Sequence, residues 1–179
     1  DASLWRYRRK SAWHYGSNDM GTGYTTATIG LYNYLFAFPF HVASAYTVTA
    51  MGVKVTTAGG AGSLIRLGIY SDNGSIYPGA LLSDAGGIDI TATGLKQASG
   101  LSISLSANTL YWIVGVTNSS AVFRVLSPAS CRIIGFDATD FDHVANEWTV
   151  AFTYAALPDP FPSSAVSAGG NNPILLYLT

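Results

Sequence analysis

Apolar and polar residues alternate with period two along most of the chain, the pattern of strands with one face buried and one solvated. Within 28–40, Tyr32, Tyr34, Phe36, Phe38 and Phe40 share one parity. Pro39 has no N–H for a ladder and so places the end of that strand on a sheet edge. Within 46–57, Tyr46 and Val48 face one way, whereas Met51, Val53 and Val55 take the opposite parity. A β-bulge at Ala50–Met51, which adds one residue to one strand, explains the change. Ile65, Leu67 and Ile69 alternate with Arg66 and Gly68, and Leu101, Ile103 and Leu105 with Ser102 and Ser104.

Residues 110–116 are apolar at both parities, Leu110, Trp112 and Val114 against Tyr111 and Ile113. That predicts a central strand covered on both faces, with Trp112 in the core. Further strands are predicted at 122–126, 131–136, 147–154 and 174–178. In 147–154, Trp148, Val150, Phe152 and Tyr154 oppose Glu147, Thr149, Ala151 and Thr153. Turn-forming residues separate these runs at Gly59–Gly62, Asp72–Gly74, Tyr77–Gly79, Gly86–Gly87, Ala107–Asn108 and Asn118–Ser120. No segment carries a sustained helical stripe, and only 78–85 has room for one short helical turn. The prediction is an all-β, antiparallel, jelly-roll-like β-sandwich of about 8–10 strands.

Two segments break the rhythm. Residues 1–27 place Trp5, Trp13, Tyr7, Tyr15 and Tyr24 among basic residues, serines and glycines, and 156–173 is a loop with Pro158, Pro160, Pro162 and Pro173. Loops of such length in a compact domain are usually functional or clamp a subunit. The expected organisation is an N-terminal arm, 1–27, and one sandwich domain, 28–179, bearing the Pro-rich loop. The chain begins at Asp1 rather than Met, so it is expected to be processed or a piece of something longer.

Composition agrees with this pattern. The hydrophobic fraction of 49% excludes disorder, and a charged fraction of 11% is less than half that of ordinary soluble domains. So little surface charge points to a protomer with much of its surface covered. The net charge of −1 gives no electrostatic reason to bind nucleic acid or an anionic membrane. Arg6, Arg8, Arg9 and Lys10 nevertheless concentrate positive charge in the arm, suited to phosphate or to a neighbouring subunit; beyond residue 20, five basic residues face eight carboxylates. The single cysteine, Cys131, cannot form an internal disulfide and reads as a small core residue. No eighteen-residue apolar stretch predicts a membrane span.

The middle of the chain runs from Phe36–Phe40 through Thr47–Val55 into Ile65-Arg-Leu-Gly-Ile-Tyr-Ser-Asp-Asn-Gly74. It continues with Tyr77-Pro-Gly-Ala-Leu-Leu82, Asp84-Ala-Gly86, Leu101–Leu105 and Leu110-Tyr-Trp-Ile113. This order resembles a jelly-roll-like β-sandwich module of bacteriophage tail-fibre, receptor-binding and other virion proteins, also found in some bacterial surface proteins. The resemblance covers roughly 36–116 and brings no functional residue with it. It implies display on a particle surface, commonly as a homotrimer beside other virion proteins, and in phage adhesins attachment to host glycans. The expected location is therefore the virion surface, or otherwise the extracellular space.

Candidate chemistry is sparse. His14, His41 and His143 stand apart, and neither an HExxH nor a GxSxG motif occurs. Asp137, Asp140 and Asp142 offer oxygen ligands, yet the glycine and terminal glutamate of an EF-hand are missing, and the stretch reads first as a solvated turn. Two acids across a cleft would suit glycoside hydrolysis, and Glu147 and Asp142 are one pair that could approach each other. No catalytic residue, metal or cofactor is assigned. Aromatic rings stack on the apolar faces of sugars while amide and carboxylate groups meet the hydroxyls, so Trp148, Asn146, Asp142 and His143 form the candidate carbohydrate site. Trp5, Trp13, Tyr15, Arg8 and Arg9 are the candidate interface.

The expected function is non-catalytic: a tail-fibre or receptor-binding domain attaching to host carbohydrate, with no nucleic acid and no membrane insertion. The alternatives are a structural capsid or tail decoration module, and a carbohydrate-binding accessory domain of a secreted bacterial enzyme.

Overall fold

The structure is a computed structural model that describes residues 24–28, 32–42, 44–126, 134–136, 144–168 and 177–178. It is an antiparallel β-sandwich. The longest strands are β2 (Tyr34–Val42), β3 (Tyr46–Thr57), β4 (Leu64–Asp72), β5 (Pro78–Asp89), β6 (Gly94–Leu105) and β7 (Thr109–Thr117). Shorter ones are β1 (Tyr24–Thr28), β8 (Val122–Leu126), β9 (Gly135–Phe136), β10 (Val144–Ala145), β11 (Glu147–Ala151), β12 (Val166–Ala168) and β13 (Tyr177–Leu178). One sheet runs β12-β11-β2-β7-β4-β5; the other joins β1, β8, β3 and β13, with β6 also on β3.

Two antiparallel pairs make a single folded ribbon. β2 pairs with β7 from Phe36↔Gly115 to Val42↔Thr109, and the pairing resumes in the other sheet from Tyr46↔Leu105 to Val48↔Ile103. At the corner, Asn108 adopts φ 55° and its N–H donates to the Val42 carbonyl at 2.6 Å. The ribbon thus crosses between the sheets without leaving its partner, which keeps the backbone groups near the corner paired.

Strand alternation divides the core in two. Phe36, Phe38 and Phe40 point between the sheets with Met51, Val53, Val55, Ile65, Leu67, Ile113 and Phe123. Leu35, Ala37, Tyr70, Trp112, Val114 and Val116 point out of the six-stranded sheet on its other side, where Leu157 and Phe161 cover them. β7 is buried on both faces for this reason, and Trp112 is fully enclosed, as its pattern predicts. Each fully buried side chain of this size contributes roughly 1.5–3 kcal/mol.

Several expectations change. The stripe starting at Tyr32 begins its strand only at Tyr34, and Tyr32 and Tyr34 are exposed while Phe36 to Phe40 form core. The end of β2, however, is a sheet edge among the described residues, as Pro39 led one to expect: β11 pairs only as far as Ala37, and Pro39 falls just past that pairing, where its missing N–H costs nothing. The register irregularity in β3 lies between Val48 and Ala50, and the extra residues belong to β6, where Gly100 takes φ +77°. Residues 78–85 form strand rather than a helical turn, and Gly86 (φ +78°) serves a bulge inside β5 instead of a turn. Residues 24–27, placed in the arm by sequence, belong to β1, which pairs with β8.

The Pro-rich loop covers the chain's own sheet. Asp84 Oδ2 accepts from Arg66 Nη1 at 2.7 Å and from the Leu157 N–H at 3.0 Å. The hydroxyls of Tyr70 and Tyr77 donate to the carbonyls of Pro158 and Pro162, both at 2.6 Å, and the Leu81 N–H donates to Asp159 Oδ1. Gly68 is needed beneath it, since a Cβ there would lie 2.3 Å from Leu157 Cδ1 and 2.8 Å from the Ser83 carbonyl oxygen, which as backbone cannot give way cheaply.

Candidate functional site

The β4–β5 connection, residues 73–77, opens on the turn formers Asn73, Gly74 and Ser75 and ends on Ile76 and Tyr77. Asp72 organises it. Its Oδ2 accepts from the Gly74 N–H at 2.7 Å, and its Oδ1 accepts from the Tyr77 N–H at 3.0 Å and from Trp112 Nε1 at 2.9 Å. The expected hairpin turn at Asp72-Asn73-Gly74 is present, with Gly74 at φ +91°.

Ile76 departs from the rules of both turns and surfaces. It sits at φ +56°, where a β-branched side chain is strained, and it is 49% exposed. Such strain costs about 1–3 kcal/mol and persists only when the surroundings over-determine it. Here they do. Trp148 Nε1 donates to the Ile76 carbonyl at 2.9 Å, while Asp72 fixes the next N–H.

Trp148 projects from β11 toward the outer face and is half-buried. Its ring lies 4.8 Å from that of Tyr77 at 58°, and Tyr77 in turn stands edge-on to Phe161 at 6.0 Å. Burial pushes the Tyr77 phenol above its usual range. The result is a rigid tip in which an aliphatic side chain is displayed beside two aromatic rings. On the same hairpin opens a cleft of about 500 Å³, lined by Ser71, Asp72, Gly74, Ser104, Asn108 and Thr109 among others.

Of the carbohydrate candidates, the structure places Trp148 in this tip. Asn146 is buried, 4% exposed, with its backbone N–H donating to Ala168 O. Its side chain therefore does not reach the surface that Trp148 reaches. Glu147 is fully buried. Asp142, His143 and the candidate interface residues Trp5, Arg8, Arg9, Trp13 and Tyr15 lie outside the described residues, as do Asp137 and Asp140. Among the described residues no group of three His, Cys, Asp or Glu side chains could hold a metal, and no helix is long and apolar enough to cross a membrane.

Sequence reading missed Ile76 and Tyr77 as site residues. The available signal was one aliphatic residue stranded among turn formers in Ser71-Asp-Asn-Gly-Ser-Ile-Tyr-Pro-Gly79.

These features define an antiparallel β-sandwich that presents a strained hydrophobic tip at one end of a loop-covered sheet. No protein-family model matches the chain, and no curated protein matches it.

Proposed function

We propose that this chain is a non-catalytic attachment domain of a phage particle, of the tail-fibre or receptor-binding type, and that it grips host-surface carbohydrate through Trp148, Tyr77 and Ile76. The observation that carries the reading is the left-handed backbone at an exposed isoleucine, clamped by Trp148 and Asp72. Strain maintained at a surface that gains nothing from it in stability suits a contact residue. The flanking rings offer apolar faces of the kind that sugars stack on, and the cleft sets Ser71, Ser104, Thr109 and Asn108, partners for sugar hydroxyls, beside Leu82, Leu110 and Tyr111. The rigid sandwich and the resemblance of 36–116 to virion modules agree with display on a particle. Shallow sites of this kind gain strength from several copies, so a homotrimer fits the reading.

A second reading is favoured by the same residue, because an aliphatic tip also suits a protein neighbour. In that case the domain is a structural decoration module of the virion. Ile76→Asn and Trp148→Ala, each checked for an unchanged circular dichroism spectrum, decide between them on a glycan array and on host cells. Loss of glycan and cell binding in both variants supports attachment. Wild-type protein that binds particles and ignores both cells and glycans favours the decoration module. A monomer that binds insoluble polysaccharide favours an accessory domain of a secreted enzyme.

A further inference from the structure

We propose that Asn73 is a self-modification site, at which the hairpin drives attack of its own Gly74 nitrogen on the Asn73 side-chain amide. Asn73-Gly74 is the one Asn-Gly step in the sequence, and glycine sets no side chain beside the attacking nitrogen. Both residues are exposed, and even a Cβ built on Gly74 would meet no atom within 4 Å, so the step is open to water.

The hairpin's own bonds supply the chemistry. The Gly74 N–H donates to Asp72 Oδ2 at 2.7 Å, which sets a carboxylate where it can take the proton as the nitrogen attacks. The Ser75 N–H donates to Asn73 Oδ1 at 2.9 Å, so that oxygen already has the donor that stabilises it as an oxyanion. The same bond bends the Asn73 side chain back along the peptide that follows it. Tyr77 and Trp112 hold Asp72 Oδ1, and the Asn73 N–H donates to the Tyr77 carbonyl, so base and amide are both fixed in place.

Ring closure forms the Gly74 N–Asn73 Cγ bond and breaks the Cγ–Nδ2 bond, and ammonia leaves with the proton taken from Gly74. Water then opens the cyclic imide at either carbonyl, giving aspartate or, with the main chain rerouted through the side chain, isoaspartate. Asn118-Ser119 shows the contrast: both ends of the Asn118 amide are tied to Leu64 and Gly62, and the Ser119 N–H meets the neutral Thr117 hydroxyl. Either product adds a carboxylate next to Asp72, and isoaspartate lengthens the backbone between the bonds that hold Ile76. Resting on the attachment reading above, the consequence is a tip that loses its grip as the particle ages.

The test incubates the full chain in mildly alkaline buffer, folded and unfolded in urea, and follows each asparagine by peptide mass spectrometry with an isoaspartate-specific methylation assay. Asn73 should convert first, and faster in the folded chain than in urea. Asp72→Ser keeps an acceptor for the hairpin but removes the base. It should slow folded-state conversion by on the order of tenfold, below the usual worth of a positioned general base because a carboxylate is a weak base for an amide. In urea it should change nothing. A purely structural Asp72 predicts the reverse, since a loosened hairpin reacts faster. Slower conversion in the folded chain than in urea, or Asp72→Ser reacting as fast as wild type, overturns the proposal. Asn73→Ser keeps a side-chain acceptor for the Ser75 N–H and cannot cyclise, so its binding to host cells should outlast that of wild type through the same incubation. Converted wild type that binds as well as fresh protein overturns the link to the tip. Fresh wild type that binds neither cells nor glycans overturns the attachment reading and leaves the modification, read by mass alone, standing.

Discussion

Trp112 Nε1 and Asp72 Oδ1 lie 2.9 Å apart, so a fully buried indole in the central strand is tied to the carboxylate that shapes the surface hairpin. The same oxygen accepts from the Tyr77 N–H. A core residue and the proposed contact tip therefore share one acceptor.

Asp72→Ala leaves the Trp112 N–H and two backbone N–H groups without their acceptor. A loss of about 2–4 kcal/mol is expected by denaturant unfolding, from the cost of orphaned donors. Asp72→Asn keeps one oxygen and should lose less. Equal stability of wild type and Asp72→Ala would show that the hairpin finds other acceptors.

Ile76→Asn should behave in the opposite sense. Asn tolerates φ near +56° far better than a β-branched residue, and no core contact is lost. Stability should rise by up to about 1 kcal/mol while glycan binding falls. A destabilised Ile76→Asn would mean that the isoleucine supports the fold rather than a ligand.

Asp84→Ala removes the acceptor that joins Arg66 to the backbone of Leu157. The ion pair is about one-fifth exposed at each partner, so solvent screening trims its worth, and roughly 1–2 kcal/mol is the expected loss. Limited proteolysis should then cut first within 152–165, near Leu157, whose N–H loses its tie to the sheet while the bonds at Pro158, Asp159, Phe161 and Pro162 remain. Unchanged cleavage there would show that Leu157 and Phe161 anchor the cover unaided.

Alkali should unfold the protein through Tyr70. Its phenol is pushed far above the usual value of 10.0, by burial first and then by the negative charges of Asp84 and Asp159. A raised folded-state pKa contributes stability that is whole below the unfolded value near 10 and is lost as pH climbs through the gap. Denaturation midpoints should be level up to about pH 9 and fall above about pH 10. Tyr70→Phe should be weaker at neutral pH, having lost the bond to Pro158 O, yet decline less in alkali. Parallel profiles for the two proteins would exclude Tyr70 as the cause.

Much of the fold was legible because strand periodicity is a local property. The two-faced apolar run at 110–116 could be covered only at the centre of a sheet, and the parity change after Val48 required an irregular ladder. The side of the ladder carrying the extra residues was not legible, because either strand can supply them. The site was legible only at Trp148. Asn146 is polar in sequence, but tertiary packing buries it, whereas Ile76, which no sequence pattern singled out, is displayed.

The alternation of side chains by itself determined that this chain makes β-sheets, and the two-faced run around Trp112 placed that residue inside them, since covering both faces is the only way to remove those groups from water. Only the tertiary structure decided what covers the second face of the six-stranded sheet. The Pro-rich loop has no periodicity to betray its partner, and its place depends on Asp84, Tyr70 and Tyr77, contributed by strands some eighty residues earlier in the chain. Ile76 was decided in the same way: its backbone is held by an indole 72 residues away, a constraint that exists only once the two sheet strands have been brought together.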